Sequence, residues 1–219
     1  MAKRPKQSEK EILEQDRVAL ENAETQPEIA KEMSELGFDS EKISEGKGIH
    51  AETSKKYDFN KQEDDETSEA HDVFEKKCDE MYNIFTLHWK KAKAVFLKDP
   101  VTADKLAITG AKPRNYINWM ETMKKFYSVA TSDIDIQTKL ARLKVSVKEL
   151  KQAQKKISEI EKARAEYLRE EGESQDATKQ KDAAFKKLED WMREFWAVAR
   201  IALEDRPQLL ESLGKVVRS

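Results

Sequence analysis

One cysteine, three histidines, six glycines and five prolines are all that 219 residues hold of those types. A lone thiol, Cys78, excludes an internal disulfide and a cysteine-built zinc site. The histidines, His50, His71 and His88, follow Lys47, Ser68 and Phe85 by three positions, so the Glu-x-x-His pairs of carboxylate-bridged metal bundles are absent. No run approaches the roughly 18 apolar residues of a membrane-crossing helix. The basic start "MAKRPKQSEK" has no apolar stretch behind it, so no secretory signal is expected. An excess of one charge is missing as well. The formal net charge of −2 supplies no global field for nucleic acid or anionic lipid. These absences lead to the expectation of a soluble, cytoplasmic protein with no metal, no cofactor, no nucleic-acid partner and no stable membrane span.

What is present suits long helices with charged outer faces. Hydrophobic and charged residues each make up 38% of the chain, enough apolar side chains for a core. Residues 1–114 hold 20 basic and 25 acidic side chains, whereas residues 115–219 hold 21 and 18. The halves therefore carry net charges of −5 and +3, and a mutual attraction between them is expected.

A shift of 107 positions aligns the sequence with itself without a gap. Ile12 falls on Trp119, Leu20 on Tyr127, Met33 on Leu140, Phe38 on Val145, Met81 on Leu188, Trp89 on Trp196 and Pro100 on Pro207. Helical periodicity alone gives apolar matches at several shifts. It does not place one proline, one tryptophan and one acidic Thr/Ser turn together at a single shift. The pattern predicts tandem duplication: a tail at 1–7, one helical unit at 8–110, a second at 111–214 and a tail at 215–219.

Each unit is expected to begin with a short helix over 8–24 (115–131) and a second one ending at Leu36 (Leu143). Gly37 has the place of a left-handed residue closing that helix, and Asp39 is placed to cap the next. In the second copy Ser146 and Glu149 form a capping-box pattern. A third helix is predicted over 40–60 (147–171), then a fold-back at "EDDETSEA" and "EEGESQDA", and a fourth helix to about 98 (204). Pro100 and Pro207 stop that helix. The alternative to the fold-back is one continuous helix of almost 60 residues, roughly 90 Å long. The hairpin reading yields an antiparallel four-helix-type bundle.

Chemical motifs are sparse. His88, between Leu87 and Trp89, reads as a packed histidine at the core edge. "EGKGI", Glu45–Ile49, lacks the spacing of a phosphate loop, and Gly46 reads as a close helix contact. Cys78 falls on Phe185 and is expected to be an inert, buried thiol. Trp89, Trp119, Trp191 and Trp196 recur at helical spacing with Phe85, Phe126, Tyr127 and Phe195, as core aromatics do. Trp89 and Trp196 are expected to be buried in one shared core. Lys144, Lys148, Lys151 and Lys155 form a stripe, read as a solvated face or as a complement to Glu41, Glu45, Glu52 and Asp58. No catalytic, cofactor-binding or metal-binding residue is identified.

The closing stretch "WMREFWAVARIALEDRPQLLESLGKVVRS", Trp191–Ser219, resembles a group of uncharacterised bacterial tandem-repeat helical-bundle proteins, most clearly over 174–219. That resemblance implies the fold and no activity. The expected function is a non-catalytic interaction or scaffold protein with a protein partner or a second copy of itself. Two other readings compete. One is a membrane-active, pore-forming-like helical protein. The other, a small-ligand binder or enzyme, would require a polar site among the aromatics.

Overall fold

The computed structural model describes residues 7–214. They are all-helical, with eight helices and no strand: α1 (Glu9–Thr25), α2 (Pro27–Glu35), α3 (Ser40–Val95), α4 (Pro100–Lys105), α5 (Tyr116–Ser132), α6 (Ile134–Ala141), α7 (Val147–Ala202) and α8 (Leu209–Ser212). The shift found in the sequence carries the starts of α1, α2 and α3 onto those of α5, α6 and α7. It also carries the ends of α1 and α3 onto those of α5 and α7.

Local chemistry sets these boundaries. Ser8 and Glu11 form a capping box on α1, Ser8 N donating to Glu11 Oε2 at 2.8 Å. Ser146 and Glu149 do the same for α7 at 2.7 Å. Asp39 Oδ1 accepts from Lys42 N at 3.0 Å, as its position in the sequence predicts. Proline stands at the start of α2 and α4, where its missing N–H costs nothing. Gly37 is left-handed with φ +85°, and its counterpart under the shift, Lys144, has φ +56°. The same holds for Ala107 at φ +53° and Gly214 at φ +83°. The chain thus adopts the strained region at matching places whether or not glycine is available there.

The fold-back expected at 60–67 and 171–174 does not occur. α3 and α7 are unbroken helices of 56 residues each. The apolar seam fades in that stretch because polar side chains continue it. Asn60 Nδ2 donates to Thr178 Oγ1 at 3.1 Å, Ser174 Oγ to Asp64 Oδ1 at 2.6 Å and Thr67 Oγ1 to the Glu170 carbonyl at 3.1 Å. Paired in this way, the buried Asn60 and the half-buried Thr67 avoid the desolvation penalty of unpaired polar groups. Gly172 lies on the exposed face, where it is tolerated at the modest cost of a helix-interior glycine.

The described residues form two compact units: unit 1 combines residues up to 64 with those from 173 onward, and unit 2 spans 65–172. Each takes part of 8–110 and part of 111–214. In unit 1 the core gathers Leu20, Ile29, Met33, Phe38 and Ile43 with Leu188, Trp191, Phe195 and Leu203. In unit 2 it gathers Met81, Phe85 and Phe96 with Met123, Phe126, Tyr127, Leu140, Leu150 and Ile160. Within unit 1 the partner number on α7 falls as the number on α3 rises, from Glu52–Lys187 to Asn60–Thr178, so these segments run in opposite directions. Unit 2 repeats this from Thr67–Glu170 to Glu80–Lys156.

Candidate functional site

Unit 1 carries a groove of about 630 Å³ between α1 and the last third of α7. Ile12, Phe185, Leu188, Met192 and Trp196 supply apolar walls, and Gln7, Glu9, Gln15, Glu189, Arg193 and Arg200 add polar ones. Asp16 also lines it. Capping at Ser8 fixes the phase of α1, and Leu13, Asp16, Leu20 and Ala23 then share its inner face at helical spacing.

Asp16 is 7% exposed and forms no hydrogen bond or ion pair with any other described residue. Burial pushes its carboxyl up to about 7 from the ordinary 3.8. The other acids of the groove have cations of their own. Lys181 Nζ donates to Glu9 at 3.0 Å, and Glu189 lies 3.4 Å from Arg193 Nη2. Asp16 is therefore the carboxyl left to face the groove.

Unit 2 has a concavity at the matching place, of about 280 Å³. Arg114, Tyr116, Trp119, Cys78 and Tyr82 line it, the counterparts under the shift of Gln7, Glu9, Ile12, Phe185 and Glu189 respectively. Aromatic rings fill much of the space. Tyr82 and Tyr116 each lie 6.4 Å from Trp119, and Lys112 sits 3.4 Å above the Tyr82 ring. The counterpart of Asp16 is Met123, fully buried in the core.

The residues singled out in the sequence are spread through the fold. His50 Nε2 donates to the Leu13 carbonyl at 2.8 Å. His71 packs edge-on to Tyr167 and lies 3.8 Å from Glu75. His88 is buried, with Nδ1 2.9 Å from the Tyr127 hydroxyl, and burial lowers its pKa and raises that of the tyrosine. Cys78 is half-buried, its thiol pushed up to about 11 by burial with a smaller contribution from Asp79. It is a poor nucleophile at neutral pH.

A β-carbon on Gly46 would lie 2.3–2.6 Å from the Trp191 ring, so close helix approach explains this glycine. Lys47 is engaged by Glu21 at 2.9 Å and by Glu24. The shared core expected for Trp89 and Trp196 is not found. Both are half-buried, Trp89 against the unit 2 core and Trp196 against that of unit 1. Lys144, Lys148, Lys151 and Lys155 are exposed and pair with no other described residue, while Glu45 and Glu52 pair with Lys42 and Lys187. The stripe is a solvated face.

Asp16 was not legible as a site. In "EILEQDRVAL" it reads as another surface acid, although its spacing from Leu13 and Leu20 places it on the buried face. No family model, no curated protein and no solved structure matches this chain.

Proposed function

We propose that the chain is a non-catalytic interaction or scaffold protein, an antiparallel helical bundle built from two tandemly duplicated units at 8–110 and 111–214. Duplication is supported by the constant shift that relates helix ends and left-handed positions. It is supported further by matched contacts. Lys47 reaches Glu24 where Gln154 reaches Thr131, and Asn60 meets Thr178 where Tyr167 meets His71.

One observation carries the interaction reading. At one end of unit 2, Leu97 is 81% exposed, Ile134 77% and Val101 66%. The pairing of Lys139 with Asp99, and its position 5.5 Å from the Phe96 ring, bring α6 beside the turn that holds Leu97 and the start of α4, which holds Val101. Their counterparts under the shift are Glu204, Pro27 and Gln208, none of which offers a large apolar side chain. Exposed apolar side chains on neighbouring elements support a protein-binding surface there.

The test compares the native chain with a Leu97→Ser/Ile134→Ser variant by sedimentation and by quantitative affinity capture. The reading expects a second copy or a defined partner held by the native chain and lost from a variant of unchanged melting temperature. A monomer that holds nothing through these side chains overturns it, and leakage of anionic vesicles by such a monomer would favour the membrane-active alternative.

A further inference from the structure

The groove of unit 1 combines features that a purely structural cleft does not need. A carboxyl at its floor is buried and lacks a partner among the described residues. Leaving an ionised group there is costly unless a cation meets it. The fold itself does not ask for an acid at this place, since Met123 occupies the matching position of unit 2 as an ordinary core residue. The open volume of about 630 Å³ falls in the range of small-ligand sites, roughly 300–1,000 Å³. Phe185 and Trp196 line the groove with aromatic surface, and Ile12, Leu188 and Met192 line it with aliphatic surface.

We propose that this groove binds a small organic monoamine, its ammonium group paired with the Asp16 carboxylate and its apolar body packed on Ile12, Phe185, Met192 and Trp196. The charge pattern supports a single positive centre. Glu9 and Glu189 are occupied by Lys181 and Arg193, so Asp16 is the one acid free to receive it among the described groove residues. Arg193 and Arg200, both on the groove wall, disfavour a second cationic group on the ligand. Aromatic rings add attraction for an alkylammonium head.

Asp16 must ionise to hold the amine. The other charged groups lining the groove are Glu9 on α1 and Glu189, Arg193 and Arg200 on α7, and burial alone shifts Asp16. With the carboxyl pushed up to about 7, its ionised fraction falls from about nine-tenths near pH 8 to a few hundredths near pH 5.5. The affinity for an amine that stays protonated falls in step, about thirty-fold over that interval. This inference is separate from the interaction surface of unit 2, so either can fail alone.

The experiment uses the full chain and three probes of one shape: 4-phenylbutylamine, 4-phenylbutan-1-ol and 4-phenylbutyrate. Titration calorimetry gives affinities near pH 8 and pH 5.5, and indole N–H resonances report where each probe sits. The amine is expected to bind at least about ten-fold tighter than the alcohol near pH 8, a difference of about 1.4 kcal/mol. It should move the Trp196 resonance and weaken near pH 5.5. Asp16→Asn should erase the preference for the amine. Asp16→Met, which mirrors the packing of unit 2, should do so with an undiminished melting temperature, separating lost binding from lost folding. Equal binding of amine and alcohol, tighter binding of the butyrate, no amine binding at millimolar concentration, or a preference that survives in both variants overturns the proposal.

Discussion

Five positions line both grooves under the shift, and the residue differs at each of them and at the buried position beneath, which separates what the fold requires from what it tolerates. In unit 2, Tyr82, Tyr116 and Trp119 crowd the cleft, and Met123 packs beneath in the core. In unit 1, Glu189, Glu9 and Ile12 leave the cleft open over Asp16. A frame that accepts either set does not dictate the acid. A second contrast runs through the cores. Gly46 yields space to the indole of Trp191, whereas their counterparts under the shift, Ala153 and Ile84, share the unit 2 cluster.

The largest effect expected from breaking this comparison is at Trp191. Truncation to Ala should destabilise the chain by about 3–5 kcal/mol, the usual range for a buried large aromatic. Trp196→Ala, at a half-buried ring, should cost clearly less. Thermal or denaturant unfolding checks both, and equal costs would contradict the assigned packing.

Asp16 comes next, with the opposite sign. Its folded pKa is raised, so between about pH 4 and pH 7 the folded chain keeps a proton that the unfolded chain has released. Stability therefore falls as pH rises through that window, by up to about 4 kcal/mol, and levels off above it. Asp16→Met should remove this contribution and stabilise the chain by about 2–4 kcal/mol near pH 7.5. Denaturant unfolding across pH measures both. A destabilised variant would mean that the carboxyl has a structural partner.

Gly46→Ala should cost about 1–3 kcal/mol by overpacking against the indole. In a Trp191→Ile background, which reproduces the pair found in unit 2, the same change should be neutral or gain up to about 1 kcal/mol from helix propensity. A double-mutant cycle reads the coupling, and additive costs would separate the two residues.

The smallest effect is at the left-handed positions. Lys144→Gly and Ala107→Gly should each stabilise by about 1 kcal/mol or less, because strain relief is partly offset by a more flexible unfolded chain. Loss of stability at both would contradict the strained backbone.

Much of this frame was legible in the sequence. The self-alignment, the caps at Asp39 and Ser146 and the left-handed Gly37 were read from the sequence, whereas α3 and α7 end at Val95 and Ala202, five residues before Pro100 and Pro207. The continuity of α3 and α7 was not. The acidic stretch looks like a turn because its apolar periodicity fades. Asn60, Glu63 and Thr67, however, keep helical spacing and continue the seam with polar groups. Whether a polar side chain faces a partner or water is settled by tertiary packing, which a single sequence does not carry. The same limit hid Asp16, whose unusual chemistry arises from neighbours far along the chain, on α7.

Carboxyl-carbon NMR titration of Asp16 in the free protein tests the central contrast most directly, because it reads the environment of the buried acid that stands where the other groove has Met123. The account predicts a midpoint near 7, far above an ordinary aspartate, with stability falling over the same interval. A midpoint near 4 would show a solvated or internally paired carboxyl and would contradict the account of the open groove.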